Sequence, residues 1–335
     1  MRSAEVLYVL RYWPTVSETF VAGEIAELER QGVRVCVVSM GKRADAALAS
    51  NPPPSEVLDL PRGSALLRPW LRRPARSKLA ARIGWAVAEA RRRGVRRVHA
   101  HFAGEAAVFA QRIAGQLAVP WSVTVHAADL FKPIPGIRAL LAAARPCITI
   151  CEHHRRWIAR HYGVDAQVVR CGVTLDRPQA SPGVQPARVV CVARDVPKKD
   201  LDRLRRALPG QVDFIGAGAL VPSTQVAARV ARAQLFALPC CVASDGDRDG
   251  VPVAMMEAMA AGLPVVTRPI AGIPELVDQT VGWIAEDFEA ALHEALMSPE
   301  QREFRGAAAR ARIAAGWSLE QSVVRLRSVW DRLRE

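Results

Sequence analysis

Short apolar runs alternate with segments of helical periodicity along most of the chain. Runs rich in Val, Ile and Leu, such as residues 5–11 and 33–40, have the length and composition of buried strands. Between these two runs, a helix is predicted from Ser17, a residue suited to an N-cap, to about Gln31. Its apolar stripe consists of Phe20, Val21, Ile25 and Leu28. Strand, helix and strand in this order predict an α/β protein with parallel sheets.

Polar stretches rich in proline divide this pattern. Residues 41–61, with the run NPPPSEV at their centre, are predicted to form a loop. Residues 174–187 are rich in Pro, Gly and polar side chains and are predicted to link two domains. We therefore expect a first domain at 1–174, a second domain at 188–316 and a closing helical segment at 317–335.

The segment 244–277 has the clearest succession of elements. A polar, Gly-rich loop leads to Pro252, where a helix is predicted to begin, and Gly262 is predicted to end that helix before a β-branched run. Asp249 then lies at the helix mouth and Glu257 about two turns into the helix. Free N–H groups at a helix N-terminus beside a carboxylate suit a ligand with hydroxyls and an anionic part. Taken singly, Asp249 favours an N-cap and Glu257 a solvated helix position.

The composition is that of an ordinary globular protein with room for two cores. Of 335 residues, 50% are hydrophobic and 24% are charged. No apolar run reaches the roughly 18 residues of a membrane span and no signal peptide is recognised, so a cytoplasmic location is expected. Seven cysteines without a Cys-x-x-Cys pair indicate reduced thiols, and neither a disulfide framework nor a metal site is predicted.

The net charge of +13 is concentrated in one segment. Residues 62–97 contain twelve Lys or Arg and a single acidic residue, Glu89, together with Trp70 and Trp85. One interpretation is a solvated helical face. The other is a patch that rests on anionic lipid or a lipid-linked acceptor, which would bring the protein to the inner face of the plasma membrane. Nucleic acid is the least favoured partner, because no nucleic-acid-binding module accompanies the charge.

The frame that joins Asp249 to Glu257, continued by AMAAGLPVV and GIPELV, resembles the signature of retaining glycosyltransferases of family 4. That family has the GT-B fold, in which two Rossmann-like domains with parallel sheets face each other across a cleft. Its second glutamate holds the ribose of a nucleotide-sugar, and its first acidic residue, with adjacent backbone N–H groups, holds the sugar. The resemblance therefore assigns Glu257 to the ribose, and Asp249 with Gly250 and Val251 to the sugar.

A second motif follows the predicted first strand of the second domain. The sequence VARDVPKKD at 192–200 resembles the family's VGRLxxKKG, whose Arg and second Lys bind the diphosphate. Two ammonium groups and a guanidinium suit a diphosphate leaving group, because negative charge develops on it during transfer. The plainer interpretation is a basic solvated turn. The resemblance implies Arg194 and Lys199 as diphosphate ligands and Lys198 as a further candidate, so that no metal ion is required.

Two short motifs of the first domain extend the resemblance. PTVSETF at 14–20 resembles the PxxSETF segment of a bacterial exopolysaccharide branch of the colanic acid type. It implies Ser17, Glu18 and Thr19 as acceptor contacts. The run CGV, with Gly172 at its centre, resembles the family's Asn-Gly-Val at the end of the first domain and implies a donor contact.

Histidines follow two predicted strands of the first domain. Parallel strands place ligands at their carboxyl ends, so His101 and His126 are expected to face the crevice. A lone histidine is more often structural, which is the interpretation we adopt for His99 and, less firmly, for His101. The loop with His126 resembles the family's post-strand loop, whose histidine contacts the transferred sugar or the acceptor. We predict His126 as an active-site ligand supported by Asp129, and Asp129 is also a candidate for an acceptor contact.

The second domain is shorter than the resemblance would suggest. Soon after QVDFIGAGAL the chain reaches the segment that precedes the loop at 244–250, which the resemblance makes the donor loop. One βα repeat of roughly 30 residues is therefore expected to be missing. Residues 216–219 match either the family's Gly-Asp-Gly-Pro turn or the end of a later strand. The family's last helix crosses back onto the first domain, and residues 317–335 are expected to do the same.

The resemblance covers nearly the whole chain and implies a retaining, metal-independent transferase without a cofactor. The donor would be a nucleotide diphosphate sugar. The acceptor would be a hydroxyl of a saccharide or lipid-linked saccharide in cell-envelope or exopolysaccharide synthesis. A different class of function is also open, because a chain without one repeat would suit a non-catalytic subunit that binds sugar or a partner transferase.

Overall fold

The computed structural model describes residues 5–43, 46, 49, 56–61, 78–218 and 221–332. The first part of the predicted basic segment, at 62–77, lies outside the described residues, as do Ala219 and Leu333. The described residues are organised on two parallel sheets, one in each half of the chain.

The N-terminal half forms the larger sheet. Its strands are β1 (Val6–Tyr12), β2 (Val35–Gly41), β3 (Glu56–Asp59), β4 (Arg97–His101), β5 (Trp121–Val125), β6 (Cys147–Thr149) and β7 (Gln167–Val168). Their order is β3-β2-β1-β4-β5-β6-β7, and all neighbours are parallel. Parallel neighbours need crossover connections, which here are mostly helical.

Helices cover both faces of this first sheet. They are α1 (Thr19–Arg30), α2 (Lys78–Arg93), α3 (Glu105–Leu117), α4 (Ala127–Phe131), α5 (Ile137–Ala143) and α6 (Glu152–Tyr162). The alternation of side chains along β1 shows the two faces. Leu7 and Val9 join the core formed with α2 and α3, whereas Tyr8 and Leu10 join the core formed with α1.

The C-terminal half forms a five-stranded parallel sheet. Its strands are β8 (Val189–Val192), β9 (Val212–Ile215), β10 (Leu235–Leu238), β11 (Val265–Thr267) and β12 (Gly282–Ile284). The remaining helices are α7 (Leu201–Ala207), α8 (Ser223–Ala231), α9 (Val253–Ala260), α10 (Phe288–Met297), α11 (Pro299–Gly316) and α12 (Leu319–Asp331). The strand order is β12-β11-β10-β8-β9.

The strand order of the second sheet shows at which edge the predicted missing βα repeat would lie. The common doubly wound order is 3-2-1-4-5-6. The observed order equals this series with its third strand left out. The second strand of this half, β9, is at an edge, and the next strand, β10, lies on the far side of β8. The chain passes from Ile215 at the end of β9 to Ser223 at the start of α8. This order agrees with the expected absence of one βα repeat at that edge, but 2-1-3-4-5 is also the order of flavodoxin-like sheets, so the missing repeat stays a prediction.

The last helix packs on the first half of the chain. Val323, Leu326 and Val329 are buried in the core that contains α1. Arg97 donates to the carbonyl of Trp330 at 2.8 Å, and the indole N–H of Trp330 donates to Ser122 at 3.1 Å. These contacts tie α12 to the first sheet rather than to the second.

Two local expectations were wrong. Residues 41–61 were predicted as a loop, but Glu56–Asp59 pairs with β2 as an edge strand. Four residues between a proline-rich run and another proline carry too short a pattern to be recognised. Ser17 was predicted as the N-cap of α1, but Glu18 occupies that position and no side-chain cap is formed.

No helix in the described residues is long and apolar enough to cross a membrane. Within the described part of the basic segment, several arginines contact other groups of the protein. Arg82 donates to the carbonyl of Met40 and Arg91 to that of Gln116. Arg93 is buried and pairs with both Glu89 and Glu56. This part of the segment is thus engaged in internal contacts of the first half.

Candidate active site

A cavity of about 650 Å³ lies between the two halves of the chain. Both sheets contribute to its lining, and so does the start of α12 through Leu319. Of the residues predicted for the site, all but Asp129 line this cavity: Ser17, Glu18, Thr19, His126, Gly172, Arg194, Lys198, Lys199, Asp249, Gly250, Val251 and Glu257. Residues far apart in sequence therefore meet at one place.

The carboxyl ends of parallel strands explain this convergence. His126 follows β5 directly, and Arg194 comes two residues after the end of β8. The loop with Asp249 connects β10 to α9. The carboxyl ends of β5, β8 and β10 therefore supply the predicted ligands from both sheets to one cleft.

The donor loop and the lysine pair form a compact ionic cluster. Lys199 Nζ lies 2.6 Å from Asp249 Oδ2, and Lys198 Nζ lies 3.1 Å from Asp247 Oδ1 and 3.5 Å from Asp249 Oδ1. Burial alone would raise the pKa of Asp249, but the two lysines outweigh it and hold that pKa below its ordinary value. Burial likewise opposes the charge of Lys199, yet Asp249 raises its pKa. The cluster contains two lysines and two aspartates, and their opposite charges cancel.

The helix that carries Glu257 begins and ends close to the predicted positions. Pro252 is its N-cap with φ −65°, one residue before the first helical residue. Gly262 follows its end with φ +84°, a conformation that favours glycine. Asp249 is not the N-cap, because its carboxylate is engaged with the lysines.

Glu257 is held by two side chains from other parts of the chain. Arg177 Nη2 donates to its Oε1 at 2.9 Å, and the Thr19 hydroxyl donates to the same oxygen at 3.3 Å. Arg177 belongs to the predicted linker and also lines the cavity. Sequence reasoning did not single out Arg177. Nothing local in the Pro- and Gly-rich linker distinguishes it from the many other arginines of the chain.

The PTVSETF motif places three polar residues on the wall formed by the first half of the chain. Ser17, Glu18 and Thr19 lie at the start of α1, and all three line the cavity. Burial raises the pKa of the Glu18 carboxyl above its ordinary value, although His101, Thr15 and basic neighbours counteract this. A carboxyl group with a raised pKa is therefore available on this wall.

His126 and Asp129 have different positions. His126 lines the cavity, and its backbone N–H donates to Asp129 Oδ2 at 2.8 Å. Asp129 is buried, does not line the cavity, and holds the first turn of α4 in place. Burial raises the pKa of Asp129 to about 7. Its position is that of a support for His126 rather than a contact for a bound molecule.

A buried polar cluster lies beneath His126. His101 Nδ1 is 3.2 Å from His126 Nε2, and His101 Nε2 is 3.0 Å from Glu24 Oε1. His99 contacts the hydroxyls of Ser122 and Thr124. His101 was expected to face the crevice, but it is buried and does not line the cavity. Among the described residues, Glu24, His99 and His101 form a group with potential metal ligands within 4.8 Å of one another.

Two family models match adjacent parts of the chain. The model described as "Glycosyltransferase Family 4" matches residues 17–177, and the model described as "Glycosyl transferases group 1" matches residues 177–298. Together they include nearly all residues that line the cavity. The chain belongs to glycosyltransferase family 4.

Relatives in the family include exopolysaccharide enzymes and lipid mannosyltransferases. The amylovoran biosynthesis glycosyltransferase AmsK of Erwinia amylovora is 47% identical over 70 residues, which is 21% of this chain and 17% of that protein. The putative colanic acid biosynthesis glycosyltransferase WcaL of Escherichia coli (strain K12) gives the same figures. A GDP-mannose-dependent monoacylated alpha-(1-6)-phosphatidylinositol monomannoside mannosyltransferase of Corynebacterium glutamicum is 29% identical over 42% of this chain and 46% of its own length. The chain thus matches less than half of each relative.

Solved structures of similar fold match over nearly the full chain. Sucrose-phosphate synthase from Thermosynechococcus elongatus superposes with a TM-score of 0.73 at 15% identity, covering 99% of both chains. Anabaena Alr3699/HepE, solved with UDP and glucose, gives 0.74 at 16% identity and covers 98% of this chain and 100% of its own. These similarities concern the fold, and they confirm the expected GT-B architecture.

In this family 4 chain the two walls of the cleft also touch outside the cavity. Lys132 Nζ in the first half lies 2.8 Å from Asp245 and 3.5 Å from Asp247 of the donor loop. Arg248 of the same loop stacks over Phe131 and Trp157. These contacts hold the donor loop against α4 and α6.

Gly172 has a packing role as well as a place in the lining. A Cβ at this position would lie 2.4 Å from Leu319 Cα and 2.7 Å from the carbonyl oxygen of Ser318. Those atoms are backbone and cannot move aside independently. The start of α12 therefore approaches the cavity because residue 172 has no side chain.

Proposed function

We propose that this family 4 chain transfers a sugar from a nucleotide diphosphate sugar to a hydroxyl group, with retention of the anomeric configuration and without a metal ion. The observation that carries the proposal is the convergence of Arg194, Lys199, Asp249 and Glu257 with His126 around one cavity. This set combines cations for a diphosphate with carboxylates for hydroxyl groups.

The donor is proposed to bind mainly to the second half, at 188–316. Glu257 takes the ribose through its carboxylate, and Asp249, with the backbone at Gly250 and Val251, takes the sugar. Arg194 and Lys199 bind the diphosphate, with Lys198 nearby. Since Lys199 is paired with Asp249 in the structure, the diphosphate shares or replaces that partner when it binds.

The proposed transfer step needs no enzymic nucleophile. The bond between the anomeric carbon and the diphosphate oxygen breaks, and its electron pair goes to the diphosphate. The acceptor oxygen forms its bond on the same face, and its proton passes to the leaving diphosphate. Cations that neutralise the developing charge lower the barrier, and preorganised charges of this kind are usually the largest single catalytic contribution. No protein group has to carry the proton in this scheme.

The acceptor is proposed to bind on the first half, at 1–174, against Ser17, Glu18 and Thr19. The names of the relatives support a saccharide or a lipid-linked acceptor, since they refer to amylovoran, colanic acid and phosphatidylinositol mannoside. We extend this to an anionic membrane surface contacted by residues 62–97. Sedimentation with vesicles that contain anionic lipid, compared with neutral vesicles, tests that extension.

The shortened second sheet favours one alternative. The missing βα repeat removes part of the wall beyond β9, so a non-catalytic subunit that binds sugar or a partner transferase is the second candidate. The retained ionic cluster supports the enzyme over this subunit, because a buried Lys199–Asp249 pair is costly to keep where nothing is bound.

Thermal denaturation against a panel of UDP, GDP, ADP and TDP sugars tests the donor site. A ligand at about 100 times its Kd raises stability by about 2.7 kcal/mol. We expect a shift with one base, lost in Lys199→Ala and Glu257→Ala. Lys42→Ala and Glu289→Ala are matched controls, since both residues form ion pairs at the surface.

Transfer is then measured by release of the nucleoside diphosphate with saccharide and lipid-linked acceptors. Donor binding with acceptor-dependent release supports the enzyme. Donor binding without any transfer supports the non-catalytic subunit, and an absence of both overturns the proposed donor site.

A further inference from the structure

A chain of hydrogen bonds runs from the cleft into the core of the first half. It begins at His126 on the cavity wall and passes through His101 to Glu24, with ring-to-ring and ring-to-carboxylate distances of 3.2 and 3.0 Å. It ends at Tyr8, whose hydroxyl donates to Glu24 Oε1 at 2.6 Å. All four residues are buried, with exposed fractions of 8% or less. Their partners are therefore one another rather than bulk water.

With Glu24 ionised and His101 neutral, the donors and acceptors of the four groups give this chain one direction. Burial, together with the adjacent Glu24, raises the pKa of Tyr8, so its hydroxyl keeps its proton and donates. A carboxylate only accepts, so Glu24 also receives the Nε2–H of His101. In neutral His101 the remaining nitrogen, Nδ1, then has a lone pair and no proton. It can only accept, and the donor available to it is Nε2–H of His126.

We propose that Glu24 and His101 are positioning residues that hold His126 in its neutral Nε2–H tautomer, so that its Nδ1 is an acceptor for a hydroxyl group of a bound sugar or acceptor. Neither residue touches the substrate. The part of this inference that concerns catalysis rests on the proposed function, whereas the tautomer is a property of the free protein.

The surroundings of the His126 ring favour a fixed orientation. Phe102 and Phe20 pack against it with ring centroids at 4.5 and 5.0 Å. The backbone N–H of His126 is held by Asp129. The ring is thus restrained by packing on its faces and by His101 at one edge. Such restraint matters because small misplacements of a reacting group are costly for catalysis.

A metal ion is the competing explanation for Glu24, His99 and His101. Each ring nitrogen of these two histidines already has a partner within the protein. His99 contacts Ser122 and Thr124, and His101 contacts His126 and Glu24. An ion would have to displace several of these contacts inside a closed core. The hydrogen bonds account for the cluster without an ion, and elemental analysis of the purified protein checks this.

The structure offers a matched pair of histidines for the test. His99 and His101 lie on the same face of β4, two residues apart, and both are fully buried in the same aromatic cluster. Only His101 contacts His126. His101→Leu removes the connection, whereas His101→Gln can still accept with its oxygen and donate with its amide. His99→Leu removes an equally buried imidazole that has no contact with His126.

The first readout is the tautomer of His126, measured from the ¹⁵N chemical shifts of its ring. We expect Nε2–H in the wild type and in His99→Leu, and a mixture of tautomers in His101→Leu. The second readout is transfer. We expect kcat to fall roughly 100-fold in His101→Leu, with the donor KM changed by less than about threefold, and to recover within about fivefold in His101→Gln. His99→Leu should lower the melting temperature but keep kcat within about threefold.

Several results would overturn the proposal. They are an Nδ1–H tautomer of His126 in the wild type, an unchanged tautomer in His101→Leu, an equal loss of kcat in His99→Leu, and one equivalent of bound metal. The wild-type tautomer requires no variant, so the proposal stays testable if a His101 variant does not fold. If the wild-type protein has the expected tautomer but shows no transfer, the proposed function is contradicted. The inference that His101 and Glu24 position His126 then still stands.

Discussion

Arg177 and Glu257 form a salt bridge inside the cleft, with 2.9 Å between Nη2 and Oε1. The bridge joins the segment between the two sheets to the helix that follows the donor loop. Thr19 donates to the same carboxylate oxygen, so three distant parts of the chain meet at Oε1. Because both contacts use one oxygen, the other oxygen, Oε2, is the one we propose for the ribose of the donor.

We expect Arg177→Gln to weaken donor binding about tenfold, which corresponds to about 1.4 kcal/mol. The charged hydrogen bond that orients Glu257 is lost, and an uncompensated carboxylate then faces an anionic donor. Isothermal titration calorimetry measures the effect. Arg203→Gln is the matched control, because Arg203 pairs with Glu289 away from the cavity. Tighter binding by Arg177→Gln would mean that the arginine competes with the ribose.

Gly172→Ala is expected to destabilise the protein by about 2 kcal/mol, because the added methyl group collides with the backbone of Ser318 and Leu319. The contact between α12 and the first half should loosen first. Urea denaturation measures the free energy of unfolding. Gly115→Ala in α3 is the control, since a Cβ there meets no atom within 4 Å. A gain of about 0.5–1 kcal/mol is expected for the control, as for other glycines inside helices.

Asp129 should give stability a characteristic dependence on pH. Burial raises its pKa from 3.8 to about 7, so the folded state binds this proton more tightly than the unfolded chain. The free energy of unfolding therefore falls as pH rises from about 4 to about 7, by up to ~1.4 kcal/mol per pH unit, and this contribution is flat above pH 7.

Asp129→Asn removes this titration and keeps an oxygen that accepts from His126 N–H. Between pH 5 and pH 8 we expect the wild type to lose roughly 2–3 kcal/mol relative to the variant. Urea denaturation at several pH values provides the comparison, with the pair at pH 8 and pH 9 as an internal control that should show parallel curves. A constant difference between the two proteins from pH 5 to pH 8 contradicts the raised pKa.

Local signals were sufficient for the elements that carry the proposed donor contacts. Pro252 and Gly262 delimit α9 because a fixed φ and a positive φ act within one or two residues of a helix end. The apolar runs also predicted strands in both sheets, such as β1, β2 and β11, whereas β3 was missed. The five strands of the second sheet agree with the short distance between two recognisable segments, because such a length can be read directly from a sequence.

Long-range partners could not be predicted in the same way. Glu24 lies on a helix whose periodicity indicates only a buried side, and nothing local shows that it meets His101 from another strand. A signal existed in the HAH run, because residues two apart in a strand share a face. Arg177 carried no signal at all, since its partner Glu257 lies eighty residues further along the chain.

The shortened second sheet has a consequence for the protein's behaviour at high concentration. In the part of the chain that the structure describes, β9 pairs only with β8, so one row of its backbone groups is left without a strand beside it. Free edges of this kind can template pairing between molecules. Asp213 in the middle of β9 pairs with Arg229 and places charge on that edge. Charged side chains on an edge strand oppose such pairing, so this ion pair works against two copies of the chain joining their sheets edge to edge.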